Sequence, residues 1–206
     1  MISDKSRLYH RLFNHLQNRK YELFDFKINK FLGEYPENYL MYPSLKMKAK
    51  KYNKVLQCSW MIHSHHKVKC SLLLYYKNKI ELNEKQIKTL IDSLSFILSF
   101  SLKDSDITIH FVPLKDKKKI AKQLSSKNVN SGSFRPNEIF IYRYEECIKV
   151  LFHECIHFLG FSNQNNFSEQ LIDYYKDKYQ LNVQSINFNE AYTEIFARLF
   201  FCYYLS

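Results

Sequence analysis

Glycine is nearly missing from this chain, at three of 206 residues, and alanine is scarce. Lysine, asparagine, isoleucine, phenylalanine and tyrosine are abundant instead, a skew that an AT-rich genome produces through codon usage. Acidic residues are also short: 20 Asp+Glu stand against 31 Lys+Arg, a formal net charge of +11. Such a surplus favours encounters with nucleic acid, anionic surfaces or acidic proteins. Drift toward lysine codons accounts for the same number without any partner. No CxxC pair exists, and the five cysteines are odd in number, which argues against a disulfide framework and for thiols used as small core residues in a reduced compartment. The N-terminus is charged from residue 4 onward and has no apolar signal core. The longest apolar runs, "SLSFILSFSL" and "IFARLFFCYYL", reach about half of a membrane span, and the second contains Arg198. These absences lead us to expect an intracellular protein that is not secreted and has no transmembrane segment. With 46% hydrophobic residues the chain can bury one sizeable core.

No internal repeat is visible. Leu8, Leu12, Phe13 and Leu16 have helical spacing. Residues 20–50 have weak periodicity with Pro36 and Pro43 and read as an irregular arm or short strands. Residues 1–50 are therefore expected as an N-terminal helix and arm, and 51–206 as the main domain. "KVLQCSWMIHS" and "HKVKCSLLLYYK" alternate and predict an antiparallel hairpin. Asn83 is placed to cap a helix through "EKQIKTLIDSLSFILSF". "DITIHFVPL" reads as a strand ending at Pro113, the basic stretch from 115 to 133 as a polar loop, and "EIFIYRY" as a further strand. "EECIKVLFHECIHFLG" predicts a helix with Glu145 and Glu146 at its positive end and Gly160 as the left-handed stop. Ser168 opens a helix at "EQLIDYYKDKYQ", and Asn187 or Asn189 opens the last one. The fold class is α+β, with a small, mostly antiparallel or mixed sheet packed on the helix that contains residues 149–160 and further helices at the C-terminus.

That helix carries His153, Glu154 and His157. Positions i and i+4 share a helix face about 6 Å apart, so both imidazoles can reach one metal ion. Glu154 lies about 100° round the helix. It can miss the ion yet reach a water whose pKa zinc lowers to about 7, take its proton and pass it to a leaving amine. This is the logic of H-E-x-x-H. From Val150 to Leu159 no other residue is charged, as a buried helix requires. The competing reading is an ordinary helix with two histidines.

Catalytic zinc takes a third protein ligand. The metzincin layout continues to Gly160 but meets Asn163, a poor ligand, and no methionine follows Met61. In "INFNEAYTEIFARLFF", Glu190 and Glu194 stand at i and i+4. This resembles the gluzincin arrangement of thermolysin-like peptidases. The resemblance implies one Zn²⁺ per chain bound by His153, His157 and Glu190, with Glu154 as general base and Glu194 orienting His153 through its ring N–H. Two features depart from the pattern: Glu194 replaces the usual aspartate, and the gap from His157 to Glu190 is long. The alternative is that both glutamates are helix N-terminal acids, with Glu194 paired to Arg198. Glu169 and Asp173 are the reserve ligands.

Residues 131–200, from "SGSFRPNEIFIYRYEECIKVLFHECIHFLGFS" to "EAYTEIFARLF", are similar to uncharacterised metallopeptidases encoded by large nucleocytoplasmic DNA viruses. That resemblance implies a zincin-like fold, a peptidase acting on protein or peptide substrates, and a location in host cytoplasm or virion. Oxyanion donors are sought among Tyr142, Arg143, Tyr144, Tyr192 and His110, because the thermolysin-like downstream histidine has no counterpart before Ser206. Each of the tyrosines also reads as a packing residue. His63, His65 and His66 read as a polar hairpin tip, and "KDKKK" (115–119) as a solvated loop lacking the aromatics and glycines of a phosphate patch. The rival function is a non-enzymatic basic protein, a virion or nucleic-acid-binding component on a degenerate zincin fold, held by its +11 charge.

Overall fold

The computed structural model describes residues 22–36, 41, 43–118, 130–161, 169–183, 186 and 188–206. The expected N-terminal helix, Asn163, Ser168 and Asn187 lie outside them. The fold is α+β: a six-stranded mixed sheet with helices. In chain order the elements are β1 (Glu22–Leu32), α1 (Pro43–Ala49), β2 (Lys54–His63), β3 (Lys67–Tyr76), α2 (Glu84–Leu98), β4 (Ser105–Phe111), β5 (Gly132–Arg135), β6 (Glu138–Ile141), α3 (Cys147–Phe158), α4 (Glu169–Tyr179) and α5 (Asn189–Leu205). Strand order across the sheet is β1-β2-β3-β4-β6-β5. β3, β4 and β6 run parallel, while β1–β2, β2–β3 and β5–β6 are antiparallel pairs. Among the described residues no helix is long and apolar enough to cross a membrane.

Strand alternation gives the sheet two buried faces. On β6, Ile139 and Ile141 join the larger core with Leu94, Leu151, Phe152, Cys155, Phe196 and Phe200 of α2, α3 and α5. Phe140 and the following Tyr142 point the other way, into a smaller core closed by Leu45 and Ala49 of α1. All five cysteines are free, and Cys58, Cys70 and Cys155 are buried as apolar fillers.

The hairpin is present in full register, from Lys54 opposite Tyr76 to His63 opposite Lys67. Asn83 caps α2 in a capping box with Gln86. Of the two readings for residues 20–50, an irregular arm or short strands, the described part follows the second and adds a helix: β1 pairs along β2, and α1 packs on the sheet. Pro43 is the first residue of that helix, where no N–H is needed. The loop expected over 115–133 ends in a strand, because β5 begins at Gly132 and turns back into β6 through Pro136 and Asn137, the latter at φ 61°. Proline followed by a left-handed asparagine is the chemistry of a tight turn. The last helix starts at Asn189, with Phe188 as its cap residue and no side-chain cap bond.

Candidate metal centre

α3 follows β6 after five residues and lies against the edge strand β5. Its apolar stripe, Leu151, Phe152, Cys155 and Ile156, faces the core. Gly160 at φ 73° ends the helix, and the Phe161 N–H bonds back to the Ile156 carbonyl at 3.3 Å. The orientation that buries the stripe leaves His153 and His157 half-buried at the rim, with side chains 21% and 20% exposed. Glu154 is turned inward, at 7%.

α5 packs along α3 through Thr193, Phe196, Ala197 and Phe200. That contact sets Glu190 over both histidines. His153 Nε2 lies 3.3 Å from Glu190 Oε2, His157 Nε2 lies 3.5 Å from Glu190 Oε1, and the two Nε2 atoms are 3.3 Å apart. Among the described residues this is the one cluster of three metal-ligating side chains. A tetrahedral ion with ligand bonds of about 2.05 Å holds its ligand atoms about 3.3–3.4 Å apart. The three measured edges therefore fit a small four-coordinate cation.

His153 Nδ1 lies 3.3 Å from Glu194 Oε2. With the proton on Nδ1 donated there, Nε2 keeps its lone pair, and Nε2 is the atom aimed at Glu190 and His157. Glu194 is itself held by Arg198 Nε, which donates to Oε1 at 2.8 Å, and by Lys149 Nζ at 3.0 Å. Burial alone raises the Glu194 pKa, but the bonds from Arg198 and Lys149 prevail and lower it to about 2. Glu194 thus both pairs with Arg198, as the alternative reading expected, and reaches His153. Burial pushes His157 toward its neutral form, partly opposed by Glu190.

Glu154 behaves differently. Burial, with a smaller contribution from Glu190, raises its pKa to about 8. The wall behind it is Gly132 of β5. A Cβ built there would meet Val150 Cγ1 at 2.5 Å, the Phe140 carbonyl oxygen at 2.9 Å and Glu154 Oε1 at 3.2 Å. We expect Gly132→Ala to cost about 1–3 kcal/mol in urea unfolding, because the backbone oxygen cannot step aside. A neutral result would mean that α3 does not lie this close to β5.

The cluster sits in a cleft between β5, α3 and α5. Asn130, Gly132, His153, Glu154 and Glu190 line its middle. One lobe continues past Ser133, Phe134 and His157, the other past Lys118, Glu146, Lys149 and Glu194. Asn130, Gly132, Ser133, Lys118 and Lys149 were not singled out as site residues in the sequence. The "SGS" of residues 131–133 was the available signal, since one of only three glycines stands there.

The oxyanion candidates are not gathered in this cleft. Tyr142 is buried behind it, its hydroxyl 3.5 Å from the Gly132 carbonyl oxygen, and burial raises its pKa. Arg143 is buried at 4% exposure, and Tyr192 packs on Phe196 with ring centroids 4.5 Å apart. Tyr144 contacts Gln86, and His110 lies in the smaller core against Tyr75 and Phe140. Glu169 and Asp173 sit on α4 and do not line the cleft. At the β2–β3 tip, His66 pairs with Asp104 at 3.5 Å. No protein-family model matches the chain, and no match is found among curated proteins or among solved structures.

Proposed function

We propose that the protein is a zinc metallopeptidase of gluzincin type, related to the viral metallopeptidases its C-terminal third resembles, and that its fold is a zincin variant. The carrying observation is the triangle of His153, His157 and Glu190 with edges of 3.3–3.5 Å, set beside the inward carboxyl of Glu154. Two histidines and a carboxylate are the donor set of catalytic zinc, which keeps one position open. Zinc held there supplies a Lewis acid that polarises a carbonyl and acidifies a water.

The chain's own groups do the remaining work. His153 is fixed in the tautomer that offers Nε2, because Glu194 takes its Nδ1 proton. Glu190 reaches the triangle from a second helix, so the site forms only when α5 is docked. Burial raises the Glu154 carboxyl to about 8 in the metal-free chain, and a dication beside it would favour the carboxylate, the form that takes a proton and returns it to a departing amine. The cleft runs past both sides of the triangle, as a bound polypeptide requires.

The test is hydrolysis of a denatured protein substrate by purified enzyme. We expect cleavage that a zinc chelator abolishes and that added Zn²⁺ restores. Cleavage indifferent to the chelator, or none by protein shown to hold zinc across a broad peptide library, contradicts the reading.

A further inference from the structure

Positive charge is concentrated at one end of the sheet. Lys54 stands opposite Tyr76, Leu74 opposite Phe111, and Phe111 opposite Ile141. The start of β2 and the ends of β3, β4 and β6 therefore share one edge of the molecule. Segments 46–54, 77–81 and 115–118 all emerge there, and together they hold ten lysines against two acidic residues, Glu81 and Asp116. Side by side in space, they form one surface. Lys48 contacts Asp116, Lys115 approaches Glu81 at 3.9 Å, the Tyr52 hydroxyl reaches Glu81 at 3.4 Å, and Lys77 lies over the Tyr52 ring. Both acidic groups are thus engaged within the surface, and Lys51, Lys79 and Lys117 stand exposed on it. The opposite end of the sheet mixes both signs: the Lys67 backbone N–H donates to Asp104 at 2.9 Å, and Lys69 stands opposite Asp106.

This basic face runs into the cleft. Lys118, the last residue described in its third segment, lines the lobe that also holds Lys149, and it pairs with Glu146 at 2.5 Å. The middle of the cleft is different, with Glu154 and Glu190 beside the histidines. A polyanion laid through the cleft would meet those carboxylates, but one laid along the lysines would not.

We propose that this face docks an acidic segment of a polypeptide whose neighbouring residues enter the cleft by the Lys118 lobe. The inference rests on the peptidase reading for the occupant of the cleft. The face itself favours carboxylates over nucleic acid. Its three segments contain no arginine to bind phosphate or guanine bidentately. Its aromatic rings, Tyr52 and Tyr76, are buried and offer no stacking platform. Mobile lysines held at long range suit a flexible acidic chain, with attraction that falls as salt rises.

The experiment uses the full chain carrying Glu154→Gln, so that a peptide is bound and not cut. The probes are a fluorescent peptide with a neutral core and a flanking run of glutamates, the same peptide with glutamines, and a DNA duplex of similar charge. We expect the acidic peptide to bind at least about tenfold tighter than the glutamine peptide at low salt, and the gap to close at high salt. Lys51→Glu, Lys79→Glu and Lys117→Glu combined, all at exposed positions, should remove that gap and leave glutamine-peptide binding and zinc content unchanged. Equal binding of the two peptides overturns the proposal, as does a gap that survives charge reversal. Tighter binding of the duplex, lost in the same variant, also overturns it and assigns the face to nucleic acid. Because the readout is binding, an acidic peptide held by these lysines supports the docking face even if the unmutated enzyme cleaves nothing. Cleavage of a neutral substrate by a protein that binds both peptides alike sinks the docking face alone.

Discussion

Glu154→Gln should lower peptide hydrolysis by about 10²–10⁴-fold while zinc content stays at the wild-type level. The two readouts separate because Glu154 is not part of the triangle. His153, His157 and Glu190 meet one another at 3.3–3.5 Å, while Glu154 is turned into the wall formed by Gly132 and Val150. Glutamine keeps the shape and the hydrogen-bonding reach of the side chain but cannot accept and return a proton at neutral pH. Activity and zinc falling together would make Glu154 a ligand or a structural support. Unchanged activity would remove general-base catalysis by this residue.

The same substitution should stabilise the metal-free protein, and the size of the effect should depend on pH. Burial raises the Glu154 pKa from an ordinary 4.5 to about 8. The folded chain therefore holds a proton that the unfolded chain releases, and stability falls as pH rises from about 4.5 to about 8. Other shifted groups act outside part of this window. His110 and His157, both lowered by burial, cost stability below about pH 6.5, where the unfolded chain takes up protons more readily. Glu194, lowered to about 2, loses its contribution only in acid. The buried thiols of Cys58, Cys70, Cys147 and Cys155, all raised, matter near their ordinary value of 9.0 and above. Between pH 6.5 and 8 we expect metal-free wild type to lose about 2 kcal/mol relative to metal-free Glu154→Gln in urea unfolding, at up to about 1.4 kcal/mol per pH unit. The comparison with the variant cancels the rise that the two lowered histidines give to both proteins just above pH 6.5. A shift of this size moves the melting point by about 4–8 °C for a chain of this length. Parallel profiles of wild type and variant would mean that Glu154 is solvated.

Much of this site is readable from residue spacing. His153 and His157 at i and i+4, an otherwise uncharged window around them, and Glu190 and Glu194 one turn apart name four of the side chains that meet. The strongly alternating hairpin of β2 and β3 and the capping box at Asn83 are equally local, and they appear at the expected residues. What spacing does not carry is tertiary. Ser-Gly-Ser at 131–133 looks like loop chemistry, because four-residue β5 has too few side chains to alternate; its strand character comes from pairing with β6. The weak periodicity of residues 22–32 hides β1 for the same reason, with a register irregularity between Phe24 and Lys27 that breaks the period. Arg198 is the i+4 neighbour of Glu194 and is readable as such, but Lys149 reaches Glu194 from α3, across the whole of α4 in sequence, which no local pattern encodes. The tyrosines named as oxyanion candidates do not line the cleft, and in a chain with 16 tyrosines spacing alone does not tell a donor from packing surface.

The account stands on the triangle, and metal stoichiometry by elemental analysis tests it most directly, with wild type measured beside Glu190→Ala after refilling with Zn²⁺ under reducing conditions. We predict one zinc per wild-type chain and a metal content that collapses on dialysis in the variant, since Glu190 supplies two of the three edges of the site. No zinc in wild type, or zinc held equally well without Glu190, would contradict it.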